Sequence, residues 1–415
     1  MNLTFQRLVD RYVGVPVCAL VSLVERLRPA RTQSAPRCIL VIMLSEMGSL
    51  VLAWPMFAQL RQRYPDAALH VVLFARNREM LDLLRVVPEA SVVTLEDRSL
   101  VRFVGSVLRA LRSVRRLKPD VVIDCELFAR VSSLFAYLSG APTRVGFHRH
   151  TQEGLYRGSF INRPVLYNPH RHISRQFLTL AAAIGSIAFP PQKADPAGSL
   201  EVAAFEFDPG ELERAAARLD ADFPALRGRR LVLVYPGGGI LPIRAWPFES
   251  YRVLCAALRD EGYAIGVTGP PADRPLGDAL VAQLASPRCV NLTGYTRSIR
   301  HLLALFHRAA LLVTNDGGPG QFSALTPIPT IVLFGPETPL LYGPLGANAY
   351  WFDRKLPCSP CLSAYNHRRS PCDGDNQCLK QITPNEVLAK ARQMLAAQTD
   401  MVVGMSEMSE FNGSE

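Results

Sequence analysis

Short apolar runs alternate with amphipathic helical segments along this chain, and this alternation constrains the fold more than any other feature. The run at residues 38–44 is followed by a helical pattern with Leu52, Phe57 and Leu60 on one face. Continuous apolar runs of this length are typical of strands buried on both faces of a parallel sheet. Strands that alternate with helices therefore predict an α/β fold.

The alternation occurs twice, which predicts two domains in a chain of 415 residues. The predicted strands lie at 38–44, 69–74, 91–95, 119–124 and 143–147, and then at 230–235, 263–267, 309–313 and 330–334. The intervening segment is rich in proline, alanine and polar residues, which is typical of a linker. We predict an N-terminal extension, a first domain, a linker, a second domain and a disordered tail, at 1–36, 37–190, 191–225, 226–398 and 399–415.

The N-terminal extension combines an apolar stretch with arginines and gives no sign of a signal-peptide cleavage site. The apolar stretch, residues 12–24, is shorter than the roughly 20 residues that span a bilayer. A helix lying on an anionic membrane is one interpretation, and a helix packed on the protein's own core is the other. The net charge of +10 indicates an anionic partner, and the absence of a nucleic-acid motif argues against nucleic acid.

Glycine-bearing turns follow four predicted strands of the second domain. They occupy residues 236–239, 268–270, 315–321 and 335–336. In parallel α/β folds, ligands bind at the carboxyl ends of the strands. Exposed backbone N–H groups at a helix N-terminus favour phosphate. The four turns therefore predict a site for a phosphorylated ligand, with four simple tight turns as the alternative.

Several motifs together resemble glycosyltransferase family 9, the heptosyltransferases of the lipopolysaccharide core. In the first domain the segments are Met47-Gly48-Ser49, Ala53-Trp54-Pro55 and residues 60–66. In the second domain they are Pro236-Gly237-Gly238, Arg244-Ala245-Trp246-Pro247, Asp316-Gly317-Gly318-Pro319 and the strand from Pro329 to Pro336. The resemblance extends from Cys38 to Leu395.

The resemblance implies a GT-B fold, in which two Rossmann-like domains face each other across a cleft. It implies an acceptor in the first domain, a nucleotide-sugar in the second, and inversion by direct displacement without an obligatory catalytic metal. The expected donor resembles ADP-heptose, and the expected acceptor is a lipopolysaccharide core or another lipid-linked glycan. The expected location is the cytoplasmic side of the inner membrane, with peripheral attachment.

The resemblance also implies roles for individual residues. Arg244 aligns with a phosphate-binding lysine, and a surface ion pair is the alternative for this residue. The nucleoside contacts fall at Thr268, Gly269 and Asp273. The diphosphate contacts fall at Gly237, Gly238, Asn315, Asp316, Gly317, Gly318, Pro319 and Gln321.

Two residues differ from the family pattern. Ser49 stands where the family has the aspartate expected to act as general base, and serine has no suitable pKa near neutral pH. Glu46 lies in the same turn and is our candidate base, with a solvated loop glutamate as the alternative. Gln321 replaces a histidine and can donate a hydrogen bond to phosphate, but it carries no charge.

Four of the nine cysteines are close together near the C-terminus: Cys358, Cys361, Cys372 and Cys378. Four thiolates at this spacing could hold a structural zinc or iron ion. A redox disulfide and free thiols in a loop are the alternatives.

Three functions follow from the sequence. The first is heptose transfer to a lipid-linked acceptor. The second is the same fold with another nucleotide-sugar for a different glycolipid or natural product. The third, motivated by Ser49 and Gln321, is a relative that binds nucleotide or glycolipid without catalysis.

Overall fold

The computed structural model describes residues 3–27, 35–44, 46–127, 129–148, 156–186, 198–239, 241–363, 370, 372 and 375–411. The chain divides into two compact units, Met1–Glu201 and Val202–Glu415. Each unit contains a six-stranded parallel sheet with helices packed on it. The predicted α/β class with two parallel sheets is therefore confirmed.

The described part of the first unit forms six strands and seven α-helices. The strands are β1 (Cys38–Ile42), β2 (Ala68–Phe74), β3 (Val92–Leu95), β4 (Val121–Asp124), β5 (Thr143–His148) and β6 (Arg163–Leu166). The helices are α1 (Leu3–Tyr12), α2 (Gly14–Glu25), α3 (Met47–Arg63), α4 (Arg78–Leu84), α5 (Leu100–Leu117), α6 (Arg130–Leu138) and α7 (Ile173–Ala183).

Among the residues that the structure describes, the second unit forms six strands and eight α-helices. The strands are β7 (Leu231–Tyr235), β8 (Ala264–Gly269), β9 (Cys289–Thr293), β10 (Leu311–Asn315), β11 (Thr330–Leu333) and β12 (Ala349–Phe352). The helices are α8 (Glu211–Asp222), α9 (Phe248–Asp260), α10 (Arg274–Leu284), α11 (Ile299–Arg308), α12 (Gly318–Phe322), α13 (Pro339–Tyr342), α14 (Gln377–Lys380) and α15 (Pro384–Phe411).

The two sheets have the same strand order. It is β3-β2-β1-β4-β5-β6 in the first unit and β9-β8-β7-β10-β11-β12 in the second. The order is that of a doubly wound Rossmann fold, in which the direction of winding reverses once. The reversal lies between β1 and β4 in the first sheet and between β7 and β10 in the second. Each of these positions opens a crevice at the carboxyl ends of the strands.

The predicted linker is shorter than the sequence analysis placed it. Helix α8 occupies part of residues 191–225 and belongs to the second unit. Its Leu219 is buried, and its Glu211 accepts a hydrogen bond from Arg300 Nε of α11 at 2.6 Å. An apolar contact and an ion pair therefore hold this helix in the second unit, whereas the composition of the segment indicated a linker.

The C-terminal helix is longer than predicted. The sequence places a disordered tail at 399–415, but α15 continues to Phe411. The added residues are mostly methionine, valine, serine and glutamate, with no proline to end the helix. Residues 412–415 lie outside the described part of the chain.

Helices α1 and α2 pack on the first unit through one face. Cys18 and Ser22 of α2 are buried, and the Asp10 carboxylate of α1 binds the Arg130 guanidinium of α6 at 2.8 Å. Glu25 pairs with Arg144 of β5. The predicted packing on the protein's own core is thus present on this face. In the described residues, no helix has the length and hydropathy needed to cross a bilayer.

Candidate active site

The carboxyl ends of β7 and β10 meet at the reversal point of the second sheet, because Thr314 of β10 pairs with Tyr235 of β7. Two of the predicted glycine turns, 236–239 and 315–321, leave the sheet at this point. The turn at 268–270 follows β8, the neighbour of β7, and the turn at 335–336 follows β11, the neighbour of β10. The fold therefore brings all four turns to one edge of one sheet.

Asn315 ties the first two turns together. Its Nδ2 donates to the Gly237 carbonyl at 2.9 Å, and its Oδ1 accepts from Trp246 N at 2.9 Å and from the Tyr251 hydroxyl at 3.0 Å. The residue is fully buried. The structure thus gives Asn315 a scaffold role, in contrast to the predicted diphosphate contact, since its amide is already occupied by the protein.

Gly237 and Gly269 make room for the Asp273 carboxylate. A Cβ added at Gly237 would lie 2.3 Å from Asp273 Oδ2, and one at Gly269 would lie 3.2 Å from it. Thr268 is buried at the end of β8 beside them. Asp273 Oδ2 is buried and has no hydrogen-bond partner among the described residues. This free acceptor between two turns could receive a hydroxyl group of a ligand.

Electrostatic effects couple Asp273 to the end of β7. Burial raises the pKa of Asp273, and the nearby Tyr235 side chain opposes the rise. Burial also raises the pKa of Tyr235 to about 12, and the Asp273 carboxylate adds to it. Tyr235 therefore stays a neutral phenol near neutral pH, next to the nucleoside position that the sequence predicts.

Gly238 is required by the backbone of its own turn. A Cβ at this position would lie 2.7 Å from Pro242 Cα and 2.8 Å from the Leu241 carbonyl oxygen. The chain therefore doubles back closely between β7 and the 3₁₀ turn Pro242–Arg244, and this close return positions Arg244 at the edge of the sheet.

Arg244 is buried between two carboxylates. Its Nη2 donates to Glu337 Oε1 at 2.7 Å, and its Nε lies 3.5 Å from Asp316 Oδ2. All three side chains are at most 8% exposed. The alternative for Arg244 was a surface ion pair. The structure shows an ion pair with Glu337 and Asp316, but it is buried. A phosphate that binds Arg244 would have to share it with Glu337 and Asp316.

The turn at 315–321 leads into the short helix α12. Gly317 has extended backbone, and a Cβ added there would meet no atom within 4 Å. Gly318 and Pro319 form the first turn of the helix. Gln321 is buried and donates from Nε2 to the Tyr342 carbonyl at 2.7 Å. Gln321 thus anchors α12 to α13, and open space remains above Gly317.

The reversal point of the first sheet carries the candidate base. Glu46 follows β1, is half-buried and stands at the N-cap of α3 with extended backbone. Ser49 lies in the first turn of the same helix, and its N–H donates to the Glu46 carbonyl at 3.0 Å. The structure thus brings the two residues together at the carboxyl end of β1, the edge at which Rossmann folds bind ligands.

A second carboxylate, Glu126, lies at the same reversal point and was missed by the sequence analysis. It follows β4, and its Oε1 accepts a hydrogen bond from Leu44 N at 2.7 Å. The contact connects the loops after β1 and β4 across 82 residues of sequence. In the sequence, two acidic residues directly after an apolar run, Asp124 and Glu126, could have indicated a second carboxylate at this point.

Asp124 and Arg157 form a fully buried ion pair beneath this loop. Ser132 Oγ donates to Asp124 at 3.0 Å, and Arg157 Nη1 donates to the Glu126 carbonyl at 2.7 Å. Burial raises the pKa of Asp124 to about 6, and the Arg157 guanidinium opposes the rise. The network holds the backbone of the Glu126 loop in place.

The four C-terminal cysteines are not brought into a ligand set in the part of the segment that is described. No group of three or more histidine, cysteine, aspartate or glutamate side chains there could hold a metal. Burial raises the pKa of Cys378 to about 11, and Cys361 and Cys358 add to the rise, so these three interact. Cys372 is exposed, and its thiol contacts Asn376 Oδ1 at 3.5 Å.

Comparison with known proteins identifies the family. The sequence profile described as glycosyltransferase family 9 (heptosyltransferase) matches residues 107–370. The chain belongs to glycosyltransferase family 9. This family 9 protein is similar to lipopolysaccharide heptosyltransferase 2 of Salmonella typhimurium, with 25% identity over 365 residues, 87% of this chain and 99% of the relative. It is therefore a glycosyltransferase.

Solved structures confirm the GT-B fold of this family 9 chain. The ADP-heptose lipopolysaccharide heptosyltransferase II of E. coli matches with a TM-score of 0.67 and 23% identity, over 87% of this chain and 99% of that structure. The E. coli heptosyltransferase WaaC with ADP matches with a TM-score of 0.60 and 19% identity, over 86% and 99% respectively.

Proposed function

We propose that this glycosyltransferase transfers heptose from an ADP-heptose donor to a lipopolysaccharide-core or other lipid-linked acceptor, with inversion. The proposal rests above all on the edge of the second sheet, where four glycine turns and Arg244 meet at the reversal point. The family and the ADP bound to a structural relative support a nucleoside diphosphate at this edge.

Each part of the donor has a counterpart at this edge. The free oxygen of Asp273 suits a ribose hydroxyl, next to Thr268 and Gly269. The open space above Gly317 and the backbone N–H groups that follow it suit the diphosphate. Arg244 supplies the cation that stabilises the leaving group as charge develops on it. No catalytic metal is required in this scheme.

In the transfer step, the acceptor hydroxyl oxygen attacks the anomeric carbon of the donor. The bond from that carbon to the phosphate oxygen breaks, and ADP leaves with the electron pair. Glu46 takes the proton of the acceptor hydroxyl, since its side chain is half-buried at the N-terminus of α3, beside the carboxyl end of β1. Ser49 occupies the neighbouring first turn and orients the acceptor.

A donor screen tests the choice of nucleotide-sugar. We expect ADP-heptose to raise the thermal unfolding midpoint more than UDP- or GDP-sugars do, because ligand bound only to the folded state stabilises it. A larger shift with a UDP-sugar would overturn the heptose assignment, and would favour transfer of another sugar to a different glycolipid or natural product.

Paired substitutions test the base. Glu46→Gln should lower kcat by about 100-fold or more with little change in the donor KM. Ser49→Asp in the Glu46→Gln background should restore part of the activity, because it returns a carboxylate to the family's position. Unchanged turnover in Glu46→Gln would exclude Glu46, and a loss in Glu126→Gln alone would move the role to Glu126.

We also propose that the protein works on the cytoplasmic face of the inner membrane, attached through α1 and α2. The face of these helices opposite Cys18 exposes large apolar side chains, including Tyr12, Leu20, Leu23 and Leu27. Arg11 and Arg26 are exposed beside them. A helix pair of this kind suits a membrane surface with anionic lipids. Leu20→Glu with Leu23→Glu should shift the protein from the membrane fraction to the supernatant.

A structural zinc or iron ion at Cys358, Cys361, Cys372 and Cys378 stays a prediction. The close spacing of the four cysteines supports it, whereas the exposed position of Cys372 does not. Elemental analysis of protein purified anaerobically tests it, and less than about 0.1 metal ion per chain would exclude a resident ion, because structural sites bind tightly.

The burial of Arg244 by Glu337 and Asp316 favours one further candidate, a non-catalytic relative that binds nucleotide or glycolipid. In this case the arginine is fully engaged within the protein, and Ser49 cannot act as a base. Saturable ADP-heptose binding without transfer or hydrolysis would support this candidate.

A further inference from the structure

Helix α5 carries an outer face that no step of the proposed transfer uses. Its inner face packs on the first sheet through Ala110 and Val114. Its first two turns expose Leu100, Val101, Val104 and Leu108, and Val101 is 83% exposed. Positions 101, 104 and 108 have the i, i+3, i+7 spacing of a single helical stripe.

The later turns of α5 extend the same outer face with positive charge. Arg109, Arg112 and Arg116 are exposed. None of the three forms an ion pair with any described residue. An apolar stripe followed by unpaired arginines at one exposed surface is the pattern of a helix that lies on an anionic bilayer. We define the four apolar residues and these three arginines as the α5 lipid face.

The α5 lipid face lies on the same side of the first sheet as the N-terminal helices. Helices α5 and α6 share one core, in which Ala110 and Val114 meet Phe135 and Ala136. Arg115 Nε donates to the Leu138 carbonyl of α6 at 2.8 Å. Helix α2 then packs on α6 through Cys18, next to Leu134 and Tyr137.

Helix α6 completes this layer. Its Val131 and Leu138 are 41% and 39% exposed, and the helix contacts both α2 and α5. The three helices therefore form one packed group, and each of them exposes large apolar side chains.

We infer that the α5 lipid face is a second membrane contact, in which the apolar side chains enter the interface and the three arginines bind lipid phosphates of an anionic bilayer. This inference rests on the proposed membrane attachment through α1 and α2 and deepens it. A second copy of the chain fits this surface poorly, because the same face of another α5 contains no carboxylate to pair with these arginines.

Vesicle co-sedimentation of the full chain tests the inference. The probes are vesicles of phosphatidylcholine alone and of phosphatidylcholine with about one third phosphatidylglycerol. Arg109→Gln with Arg112→Gln and Arg116→Gln should weaken binding to the anionic vesicles roughly 100-fold at low salt, from about 1 kcal/mol per arginine near such a surface. Val101→Glu with Leu108→Glu should weaken binding to both kinds of vesicle.

Control variants separate this inference from the proposed attachment. Arg252→Gln and Val253→Glu change a half-buried arginine and an exposed valine of α9 in the second unit, and these variants should bind vesicles as the unaltered chain does. If Leu20→Glu with Leu23→Glu abolishes binding but both α5 variants bind normally, the inference is wrong and the attachment through α2 stands. If the unaltered chain binds no vesicle, both fail, while the donor screen still tests the glycosyltransferase proposal.

Two further measurements complete the test. Each variant should keep the thermal midpoint and the donor-induced shift of the unaltered chain, because the substituted side chains are exposed. If the α5 variants change the mass of the protein in light scattering and leave vesicle binding unchanged, the surface joins copies of the chain and the inference is wrong.

Discussion

Asp124 shows how one buried carboxyl group links pH to the stability of the first unit. Its folded-state pKa of about 6 is above the value of about 4 expected in the unfolded chain. Between these values the folded state binds a proton that the unfolded state has released. The free energy of unfolding therefore falls as the pH rises from about 4 to about 6, by up to about 3 kcal/mol.

We predict that Asp124→Asn removes this pH dependence and destabilises the first unit, since Arg157 then lacks its anionic partner. Urea denaturation at several pH values, with hydrogen exchange of the β4 peptides as a local probe, measures both effects. Asp82→Asn, which alters a half-exposed pair with Arg78, is the control. Parallel stability curves for Asp124→Asn and the unaltered chain would contradict the assignment.

The Arg244 guanidinium pairs with two carboxylates of the fold, and the proposed function also requires it to bind the diphosphate. Arg244→Gln should lower kcat/KM for the donor by about 100-fold or more, as expected when a donor to a developing charge is lost. It should also destabilise the second unit by about 3 kcal/mol, because Glu337 and Asp316 lose their cation. Steady-state kinetics and urea denaturation separate the two effects.

Arg252→Gln is the control for Arg244→Gln, because it breaks only a surface pair with Glu249. If Arg244→Gln loses stability but keeps its donor kinetics, the guanidinium serves the fold alone.

At the scale of elements, the central strands and the edge strand β3 were predictable, and the edge strands β6, β9 and β12 were not. The strands β1, β4, β7 and β10 are long apolar runs because helices cover both their faces. The edge strands β6 and β12 have four residues each, and β6 contains Pro164. The strands β6, β9 and β12 are only partly buried and lack the long apolar run that marks the central strands, and all three were missed.

The glycine turns were predictable as a group, but the partners that complete them were not. Glu337 reaches Arg244 across 93 residues, and Glu126 reaches Leu44 across 82. Such contacts depend on strand order, which local sequence patterns do not contain. The sequence placed Asn315 in the right turn but did not predict its role, because only the structure shows its hydrogen bonds with Trp246 and Gly237.

Substitution by alanine should have different effects at two glycines in the turns after β7 and β10. Gly238→Ala should destabilise the second unit by about 2 kcal/mol, since its Cβ would collide with the backbone of Pro242 and Leu241. Gly317→Ala should leave stability within about 0.5 kcal/mol, because open space surrounds its Cβ.

Gly317→Ala should nevertheless weaken ADP binding about tenfold or more if the diphosphate fills that space. Thermal unfolding and calorimetric titration with ADP distinguish these effects. Normal ADP binding by a stable Gly317→Ala variant would place the diphosphate elsewhere.

At the scale of the whole molecule, the chain uses the same strand order twice, and residues of the proposed mechanism lie at the reversal point of each sheet. The first unit places carboxylates there, Glu46 and Glu126, and the second places glycine turns and Arg244. This division matches a separation of proton transfer from diphosphate binding. Each unit also has its own sheet and core. The residues proposed for proton transfer and those proposed for diphosphate binding are therefore held by separate sets of strands and helices.

We therefore predict that the fragment Val202–Glu415 folds alone and binds ADP. Its core joins β7, β8, β10 and β11 to α9, α10 and α15 within the unit, so separation from Met1–Glu201 removes none of these elements. We expect one cooperative thermal transition, and an ADP affinity within about tenfold of the full chain, a difference of about 1.4 kcal/mol. The fragment should show no transfer activity, because it lacks Glu46. A folded fragment that fails to bind ADP would mean that the donor site needs residues of the first unit.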